Sequence, residues 1–342
     1  MNIQELEAIA KAIVAKGKGI LAADESTATA GKRLSSIGME NTEENRRDMR
    51  ELFFTSSNMS DYVSGVILYD ETLRQNSRSG TPFTEMLTSL NIIPGIKVDE
   101  GLIDIGQGEK TTKGLDGLAE RLAEYHKLGA RFAKWRSVYS ITDTLPSSEC
   151  YIKNAEGLAK YAKLCQEAGI VPIVEPEVLM DDAERSTHNI ARADAVVRQA
   201  HAELFKALEA EGVHLKGLLL KPSMVIAGKN CTTQATEDEV ADMTYKALMA
   251  TVPADVAGVV FLSGGQSDEQ ATSHLDKMNK IAQGNNPWPL TFSYGRALQG
   301  AALQAWKGEE INWKMAQSVF MHRAKCNSLA AKGEYSNDLE AA

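Results

Sequence analysis

The chain has 342 residues, and its 46 aspartates and glutamates outnumber its 37 lysines and arginines, which gives a formal net charge of −9. The net negative charge and the lack of a basic stripe exclude a general binder of nucleic acids or membrane surfaces, because the chain offers no cationic surface to bind a polymer of phosphates. The length fits either two domains or one large α/β barrel, and any phosphate must be held by a local cluster of cations.

The amino-terminal segment predicts an amphipathic helix, because its apolar side chains recur at helical spacing, at Ile3, Leu6, Ile9, Ile13 and Val14. A signal peptide would have a continuous apolar core instead, and the sequence contains no visible export signal or transmembrane segment. The cysteines form no C-x-x-C pair and fit a reducing compartment; they are Cys150, Cys165, Cys231 and Cys326. We therefore expect a cytoplasmic protein.

Eight short apolar runs follow along the chain, and each ends near a polar or charged residue or a glycine pair. They read GILAAD to Asp24, VSGVILYD to Asp70, IIPGIKVD to Asp99, ARFAKWR to Arg136, IVPIVEPE to Glu177, KGLLLKP around Lys221, GVVFLSGG to Gly265 and LTFSYGR to Arg296. Such near-continuous runs are typical of parallel strands covered by helices on both faces. Charges interrupt the fourth run, which gives the weakest strand signal.

Helices are predicted between most of these runs. Thr236 with Glu239, and Ser267 with Gln270, have the spacing of capping boxes. Other segments stop on the residue favoured at helix C-caps, at Gly17, Gly129 and Gly169. The alternation predicts an α/β protein with a (β/α)8 TIM barrel and extra N-terminal and C-terminal helices, and a doubly wound open sheet is the alternative. We expect one domain over residues 1–342, with a short tail from about residue 333.

In such a barrel the C-terminal ends of the strands converge on one face, where these enzymes carry out their chemistry. The strand ends supply a set of polar side chains: Asp24, Lys97, Lys134, Arg136, Glu175, Glu177, Lys221, Ser263 and Arg296. A single charge at a strand end is usually solvated, but lysines inside strands are rarely buried without a partner or a function. The set as a whole therefore predicts an active site.

Lys221 follows three leucines and has the position of a nucleophile that attacks a carbonyl to form a Schiff base. The attack needs a neutral amine, and Lys134 at about 4 Å would disfavour the charged form by about 4 kcal/mol. Glu175 at a similar distance would have the opposite effect on the pKa of Lys221, so the net direction stays open.

The acidic strand ends predict proton transfer. Glu175 and Glu177 lie two residues apart on one side of a strand and could serve the dehydration of a carbinolamine, or they could only balance the lysines. Asp24 could exchange a proton with a substrate hydroxyl, or it could cap a helix or pair with Lys32 or Arg33.

Two phosphate sites are predicted. FLSGGQS follows the seventh run and SYGR closes the eighth, and the loops at these positions bind phosphate in many barrels; they supply Gly264, Gly265, Gly295 and Arg296. A second site across the barrel mouth could use Ser26, Thr29 and Lys97. Two anion sites that flank a nucleophilic lysine suggest a sugar bisphosphate with a carbonyl between its ends.

At these residues the chain resembles the class I fructose-1,6-bisphosphate aldolases, from about residue 15 to about 335. The resemblance rests on the ordered motifs GILAADEST, KRLSSIGMENTEENRR, PGIKVD, FAKWR, VPIVEPE, LLLKPSMV, FLSGGQS and LTFSYGRAL. It implies the reversible cleavage of fructose 1,6-bisphosphate to dihydroxyacetone phosphate and glyceraldehyde 3-phosphate in glycolysis and gluconeogenesis. It further implies no metal or other cofactor, and a homotetramer.

The resemblance also implies roles for single residues. Lys221 would be the Schiff-base nucleophile with Lys134 as its cationic neighbour, Glu175 the acid/base with Glu177 assisting, and Asp24 the group at the C4 hydroxyl. The C1-phosphate pocket would comprise Ser263, Gly264, Gly265, Gly295 and Arg296. The side facing the C6-phosphate would comprise Ser26, Lys97, Arg33 and Thr29, where Thr29 replaces a serine usual in animal relatives. Arg136 would lie at the rim.

One departure concerns the carboxyl terminus. Animal relatives have a longer tail that ends in a tyrosine active in proton exchange on the enamine, whereas this chain stops at EYSNDLEAA. Tyr335 precedes the usual tail, so we leave it out of the site.

Two rival functions are weighed. A zinc-dependent aldolase would need clustered ligands, but no H-x-x-H or H-x-x-x-H pair occurs among His126, His188, His201, His214, His274 and His322. We interpret these histidines as surface or satisfied core residues. A non-catalytic barrel that binds sugar phosphates is the other rival, because a fold does not establish a function.

Overall fold

Eight parallel strands close into a barrel in the computed structural model, which describes residues 2–341. The strands in chain order are β1 (Gly19–Ala23), β2 (Val63–Leu68), β3 (Ile93–Lys97), β4 (Leu102–Gly106), β5 (Glu109–Thr112), β6 (Phe132–Tyr139), β7 (Val171–Val178), β8 (Leu219–Leu220), β9 (Gly258–Phe261) and β10 (Leu290–Tyr294). The barrel has the order β1-β10-β9-β8-β7-β6-β3-β2. Because Ile20 pairs with both Gly65 and Ser293, β1 closes the sheet, and the open-sheet alternative is wrong.

Helices surround the barrel, so the predicted (β/α)8 architecture with additional terminal helices is confirmed. The described α-helices are α1 (Ile3–Ile13), α2 (Thr27–Ser35), α3 (Glu43–Phe54), α4 (Asp70–Leu73), α5 (Phe83–Ser89), α6 (Leu118–Lys127), α7 (Ser148–Glu167), α8 (Ile190–Ala210), α9 (Glu237–Thr251), α10 (Asp268–Ala282), α11 (Arg296–Trp306) and α12 (Trp313–Ala330). Short 3₁₀ helices cover Met59–Asp61, Ala183–Arg185, Leu215–Gly217, Glu310–Asn312 and Asn337–Ala341.

The predicted weakest strand, β6, is one of the two longest in the barrel, with eight residues. Its charges interrupt only one face, because successive side chains of a strand point to opposite sides. Trp135 stacks on Tyr161 of α7 with ring centroids 5.4 Å apart, while its neighbours Lys134 and Arg136 line the cavity at the barrel mouth. The apparent interruption is therefore the inner, functional face of the strand.

The strand β8 is only two residues long, yet it places Lys221 firmly. Pro222 has no backbone N–H and cannot continue the hydrogen-bond ladder. The backbone N–H of Lys221 still donates to the carbonyl of Val174 in β7 at 2.8 Å. The carbonyl of Pro222 accepts from the backbone N–H of Leu262 at 3.3 Å, so the chain on both sides of the Lys221 side chain is tied to neighbouring strands.

The amino-terminal helix α1 closes the barrel at the end opposite its mouth. Leu6, Ala10 and Ile13 pack in one apolar cluster with residues of the barrel interior such as Phe132. A Cβ on Gly258, the first residue of β9, would lie 2.6 Å from a methyl carbon of Val14. The helix therefore seals the core away from the strand ends that carry the charged residues.

Helix boundaries largely follow the predicted signals. Both capping boxes are present, and Gly129 and Gly169 follow α6 and α7 with φ of +104° and +75°, as expected of C-cap glycines. The expectation that a helix runs up to Gly17 is wrong, because α1 ends at Ile13 and Gly17 lies in the following turn.

The antiparallel hairpin of β4 and β5 was not anticipated from the sequence. Its exposed segment is mostly polar and lacks the apolar run that marks a buried strand. It is inserted between β3 and α6, and Leu102 at its start lines the cavity at the barrel mouth. The insertion therefore shapes the entrance to the site.

Among residues 2–341, no helix is both long and apolar enough to cross a membrane. The four cysteines carry free thiols, and Cys231 alone among them is more than marginally exposed.

Leu6→Ala tests the seal at the closed end of the barrel. Leu6 is fully buried, and we expect its truncation to lower the free energy of unfolding by about 2–5 kcal/mol. Ile3 on the same helix is 41% exposed, and Ile3→Ala is the matched control with an expected change of about 0.5 kcal/mol. Urea denaturation measures both, and equal effects would contradict the packing of α1 on the barrel interior.

Candidate active site

A cavity of about 990 Å³ opens at the C-terminal ends of the barrel strands. It is lined by all but one of the residues predicted for the site: Asp24, Ser26, Thr29, Arg33, Lys97, Lys134, Arg136, Glu175, Glu177, Lys221, Ser263, Gly264, Gly295 and Arg296. The exception is Gly265, which faces a neighbouring cavity beside Met180 and Asp181. Gly265 therefore does not line the main cavity, because the loop turns outward after Gly264.

Four charged side chains from four strands form a network at the base of this cavity. Lys134 Nζ lies 2.7 Å from a carboxylate oxygen of Asp24 and 3.3 Å from one of Glu175. The other oxygen of Glu175 lies 3.0 Å from Lys221 Nζ. All four side chains are buried or nearly so. The alternative that Asp24 pairs with Lys32 or Arg33 is wrong.

The register of the strands brings these groups together. Residues 134, 136 and 138 of β6 pair with residues 173, 175 and 177 of β7, and alternate side chains face the barrel interior. Lys97 of β3 pairs in register with Lys134, which places two cations side by side. Lys97 Nζ forms an ion pair with Asp99, whose carboxylate oxygen lies 2.6 Å away.

The pairing fixes the charge states of three of the four groups. Burial alone would raise the pKa of Asp24. The ammonium groups of Lys134 and Lys221 outweigh this effect and lower the pKa to about 2. Burial also raises the pKa of Glu175, and the same lysines together with Arg136 bring it below its usual value. Burial lowers the pKa of Lys134, but Asp24 and Glu175 raise it well above its usual value. The network thus holds two carboxylates and the Lys134 cation in their ionised forms.

Glu177 lies closer to the rim than Glu175. Its carboxylate accepts a hydrogen bond from Arg136 Nε, and Arg136 is the more exposed of the two side chains. The interpretation that Glu177 only balances the lysines is wrong, because its partner is Arg136. Glu175 remains the carboxylate in direct contact with Lys221.

The loops after β9 and β10, where a phosphate site is predicted, both lead into helix N-termini. Ser263 and Gly264 precede Ser267, which is the N-cap of α10, and Gly295 is the N-cap of α11. Gly264 has a φ of +54°, and a Cβ on Gly295 would approach the carbonyl of Ala22 to 3.2 Å. The chain therefore favours glycine at both positions.

Arg296 is exposed and lies over this loop. Its Nη2 donates to the carbonyl of Gly264 at 3.0 Å and to that of Gln266. The loop thus holds the guanidinium, and Arg296 lines both the main cavity and the neighbouring one.

The residues predicted for the second phosphate site come from the ends of two different barrel strands. Ser26, Thr29 and Arg33 follow β1, and β1 neighbours β10, whereas Lys97 ends β3 on the side opposite β9. Arg33 Nη2 would lie 3.8 Å from a Cβ on Gly295. The β1 residues therefore stand beside the Gly295 loop, and Lys97 stands two strand positions away in the lining of the same cavity.

Helix capping already uses the two hydroxyls near β1. The backbone N–H of Thr29 donates to Ser26 Oγ at 3.4 Å, and the two hydroxyl oxygens are 3.2 Å apart. Both side chains stand at the start of α2, whose N-terminus favours negative charge. Capping and anion binding can therefore share these groups.

Sequence reasoning missed several residues that shape the site. Glu25 is buried, forms an ion pair with Arg33 at 2.9 Å, and follows Asp24 in the motif AADES. Asp99 holds Lys97 and closes the third apolar run, so both carboxylates stood at strand ends where they could have been found. Arg74 and Arg121 also line the cavity, but they come from helices that no strand-end pattern marks.

The histidines lie outside the cavity lining. His201, His214 and His274 have polar partners within 3.0 Å, as expected of surface or satisfied core residues. Among the side chains that the structure describes, one group of potential metal ligands comes together, namely His322, Cys326 and Glu340. Arg323 and Tyr335 already bind its carboxylate.

Tyr335 is buried and lines a separate cavity beside α10. Its hydroxyl donates to Glu340 at 2.7 Å. This position agrees with its omission from the predicted site.

Comparisons with known proteins give a consistent result. The family model of fructose-bisphosphate aldolase class-I matches residues 5–342. A relative from Xanthomonas axonopodis pv. citri (strain 306), named probable fructose-bisphosphate aldolase class 1, is 53% identical over 98% of this chain and 99% of its own length. A relative from Arabidopsis thaliana, named fructose-bisphosphate aldolase 6, cytosolic, is 51% identical over 98% of this chain and 92% of its own.

A solved structure is equally similar. Fructose-bisphosphate aldolase from Plasmodium falciparum, in a ternary complex with TRAP and a small-molecule inhibitor, matches with a TM-score of 0.94 and 48% identity. The match covers 98% of this chain and 96% of that one.

The charge network predicts how stability responds to acid. The pKa of Asp24 is about 2 in the folded protein, against 3.8 for an unperturbed aspartate, so ionised Asp24 stabilises the fold above about pH 4 and loses this contribution as the pH falls. We expect the difference in free energy of unfolding between the protein and Asp24→Asn to shrink by about 1 kcal/mol from about pH 6 to about pH 3. Urea denaturation at both values measures it, and a constant or growing difference would contradict the assignment.

Proposed function

The chain belongs to the class I fructose-bisphosphate aldolase family, and from this premise we propose that Lys221 forms the imine through which it works. The protein is an aldolase that cleaves fructose 1,6-bisphosphate reversibly to dihydroxyacetone phosphate and glyceraldehyde 3-phosphate. The observation that carries the assignment to Lys221 is its contact with ionised Glu175, 3.0 Å away at the base of the cavity.

Imine formation begins with a proton transfer. The Lys221 ammonium gives a proton to Glu175, and the free amine then adds to the C2 carbonyl of the open-chain ketose, while one amine proton passes to the carbonyl oxygen to give the carbinolamine. Lys134 keeps its charge because Asp24 and Glu175 raise its pKa, and it stabilises the oxygen on which negative charge develops. After the carbinolamine forms, Glu175 returns its proton to the leaving hydroxyl, so that water departs and an iminium ion remains.

Cleavage then proceeds with Asp24 as the base. As the proton of the C4 hydroxyl passes to Asp24, the C3–C4 bond breaks and its electron pair moves into the iminium to give an enamine. A carboxylate with a pKa of about 2 is a weak base for an alcohol. The transfer must therefore accompany bond breaking, when the C4 oxygen becomes a carbonyl and its proton becomes far more acidic.

Glyceraldehyde 3-phosphate leaves first in this sequence. Protonation of the enamine at C3 and hydrolysis of the imine release dihydroxyacetone phosphate and restore Lys221. Tyr335 is buried outside the cavity and does not reach C3 in this structure.

The two phosphates bind at the mouth. We assign the C1-phosphate to Ser263, Gly264, Gly295 and Arg296, where two helix N-termini and a guanidinium converge. We assign the C6-phosphate to Ser26, Thr29, Arg33 and Lys97. These cations supply the local positive charge that the acidic chain otherwise lacks.

Further proposals concern the whole protein. We infer one domain over residues 1–342 with a tail from about 333, an enzyme that needs no metal, and a cytoplasmic location, which the cytosolic relative from Arabidopsis thaliana supports. A homotetramer follows from the family resemblance, and exposed apolar residues of the β4–β5 hairpin, Leu102 and Ile103, offer surface for contacts between chains.

Borohydride trapping tests the nucleophile. Reduction in the presence of dihydroxyacetone phosphate should attach the triose covalently to Lys221, located by mass spectrometry of peptides. Lys221→Met should lose the adduct and the cleavage activity because no other amine occupies this position. An adduct on another residue, near-parental turnover of Lys221→Met, or loss of parental activity with EDTA would contradict the imine route.

Two arginine variants test the phosphate assignments against each other. Arg296→Ala should raise the KM about 10- to 100-fold for both fructose 1,6-bisphosphate and fructose 1-phosphate, since both carry the C1-phosphate. Arg33→Ala should raise the KM for the bisphosphate far more than for the monophosphate. Steady-state kinetics on the two sugars measures this, and the reverse pattern would exchange the two assignments.

A further inference from the structure

One arginine outside the cavity lining contacts the backbone on both sides of Asp24. Arg50 lies on α3 and is only 1% exposed. A buried guanidinium carries a large desolvation cost and needs several partners. Its partners therefore indicate what it does in this fold.

The fork of Arg50 spans the end of β1. Its Nη2 donates to the carbonyl of Glu25 at 2.7 Å, and its Nε donates to the carbonyl of Ala23 at 3.4 Å. The carboxylate of Glu25 lies 3.6 Å from the same Nη2. Arg50 thus binds the residue before Asp24 and the residue after it.

The pairing of β1 with its neighbouring strands ends before Asp24. The pairing of β1 with β2 ends at Ala23 and Leu68, and the pairing with β10 ends at Leu21 and Tyr294. Asp24 stands one residue beyond the last ladder pair, where no strand fixes the peptide plane. Arg50 supplies the hydrogen bonds that a neighbouring strand supplies further back.

We propose that Arg50 is a positioning residue that fixes the carboxylate of Asp24 for carbon–carbon bond cleavage. The inference rests on the proposed function, in which Asp24 takes the C4 hydroxyl proton. Asp24 must reach the substrate from its place beside Lys134, so a shift of its backbone changes that reach, whereas Lys134 stays held by Glu175 as well. A misplacement of about 1 Å at a catalytic group can cost about 100-fold in rate.

The geometry requires an arginine and not merely a cation. A planar guanidinium presents several N–H donors in a fixed fork and can hold two carbonyls at once, whereas an ammonium is a point charge on a flexible stem. Arg50→Lys should therefore keep the charge beside Glu25 and lose part of the positioning.

The experiment separates the step that uses Asp24 from the step that does not. Dihydroxyacetone phosphate has no C4 hydroxyl, so its imine with Lys221 needs Glu175 but not Asp24. For Arg50→Met we expect the parental rate of borohydride trapping with this triose and a kcat for fructose 1,6-bisphosphate cleavage lowered about 10- to 100-fold. Arg50→Lys should give a smaller loss of kcat in the same direction, with trapping again unchanged.

Arg46→Met is the matched control. Arg46 is also buried on α3, but its side chain binds Glu71 and Asn41 and does not touch β1. We expect both trapping and kcat of the folded variant to stay within about twofold of the parent.

The outcomes are distinct. Parental kcat in Arg50→Met or Arg50→Lys overturns the proposal, and so does a parallel fall of trapping and cleavage, which would mean general damage to the barrel. If Arg50→Met does not fold, as judged by circular dichroism, Arg50→Lys decides alone. Absence of trapping in the parent would instead refute the imine on Lys221, which keeps the failure of the proposed function separate.

Discussion

The placement of Lys134 between two carboxylates is the interaction on which the rest of the site depends. Four ionisable groups are buried together, and each removes part of the cost of burying the others. Such a network contributes little to stability, because desolvation offsets the attraction between the charges. Its effect is to fix charge states: Asp24 and Glu175 stay anionic, Lys134 stays cationic, and Lys221 faces a proton acceptor at 3.0 Å.

The barrel makes this network possible by separating two tasks. One end is an apolar core sealed by α1, and the other is a ring of strand ends where the backbone leaves the sheet. Parallel strands in register bring side chains from distant parts of the chain to one level. The rigid sheet then holds charges close together that would separate in a flexible loop. Where the sheet ends, as at Asp24, contacts from outside the sheet must hold the backbone in place.

The chain is acidic as a whole, yet it handles an anionic substrate. Single cations at the mouth, each tied to the fold by a carboxylate or carbonyl, supply the local positive charge: Arg33 by Glu25, Lys97 by Asp99, and Arg296 by Gly264. These ties orient the cations before the substrate arrives. Their arrangement on the strand circle also places the β1 residues beside the Gly295 loop.

The sequence alone determined the eight strands, both capping boxes, two of the C-cap glycines and the strand-end residues of the site, because periodicity, caps and strand ends are local signals. It could not determine which charged side chains form ion pairs with each other. Asp24 and Lys134 are more than a hundred residues apart and meet only because the barrel closes. The position of Gly265 outside the main cavity and the reach of Arg50 to β1 likewise depend on packing between distant segments, which no local pattern encodes.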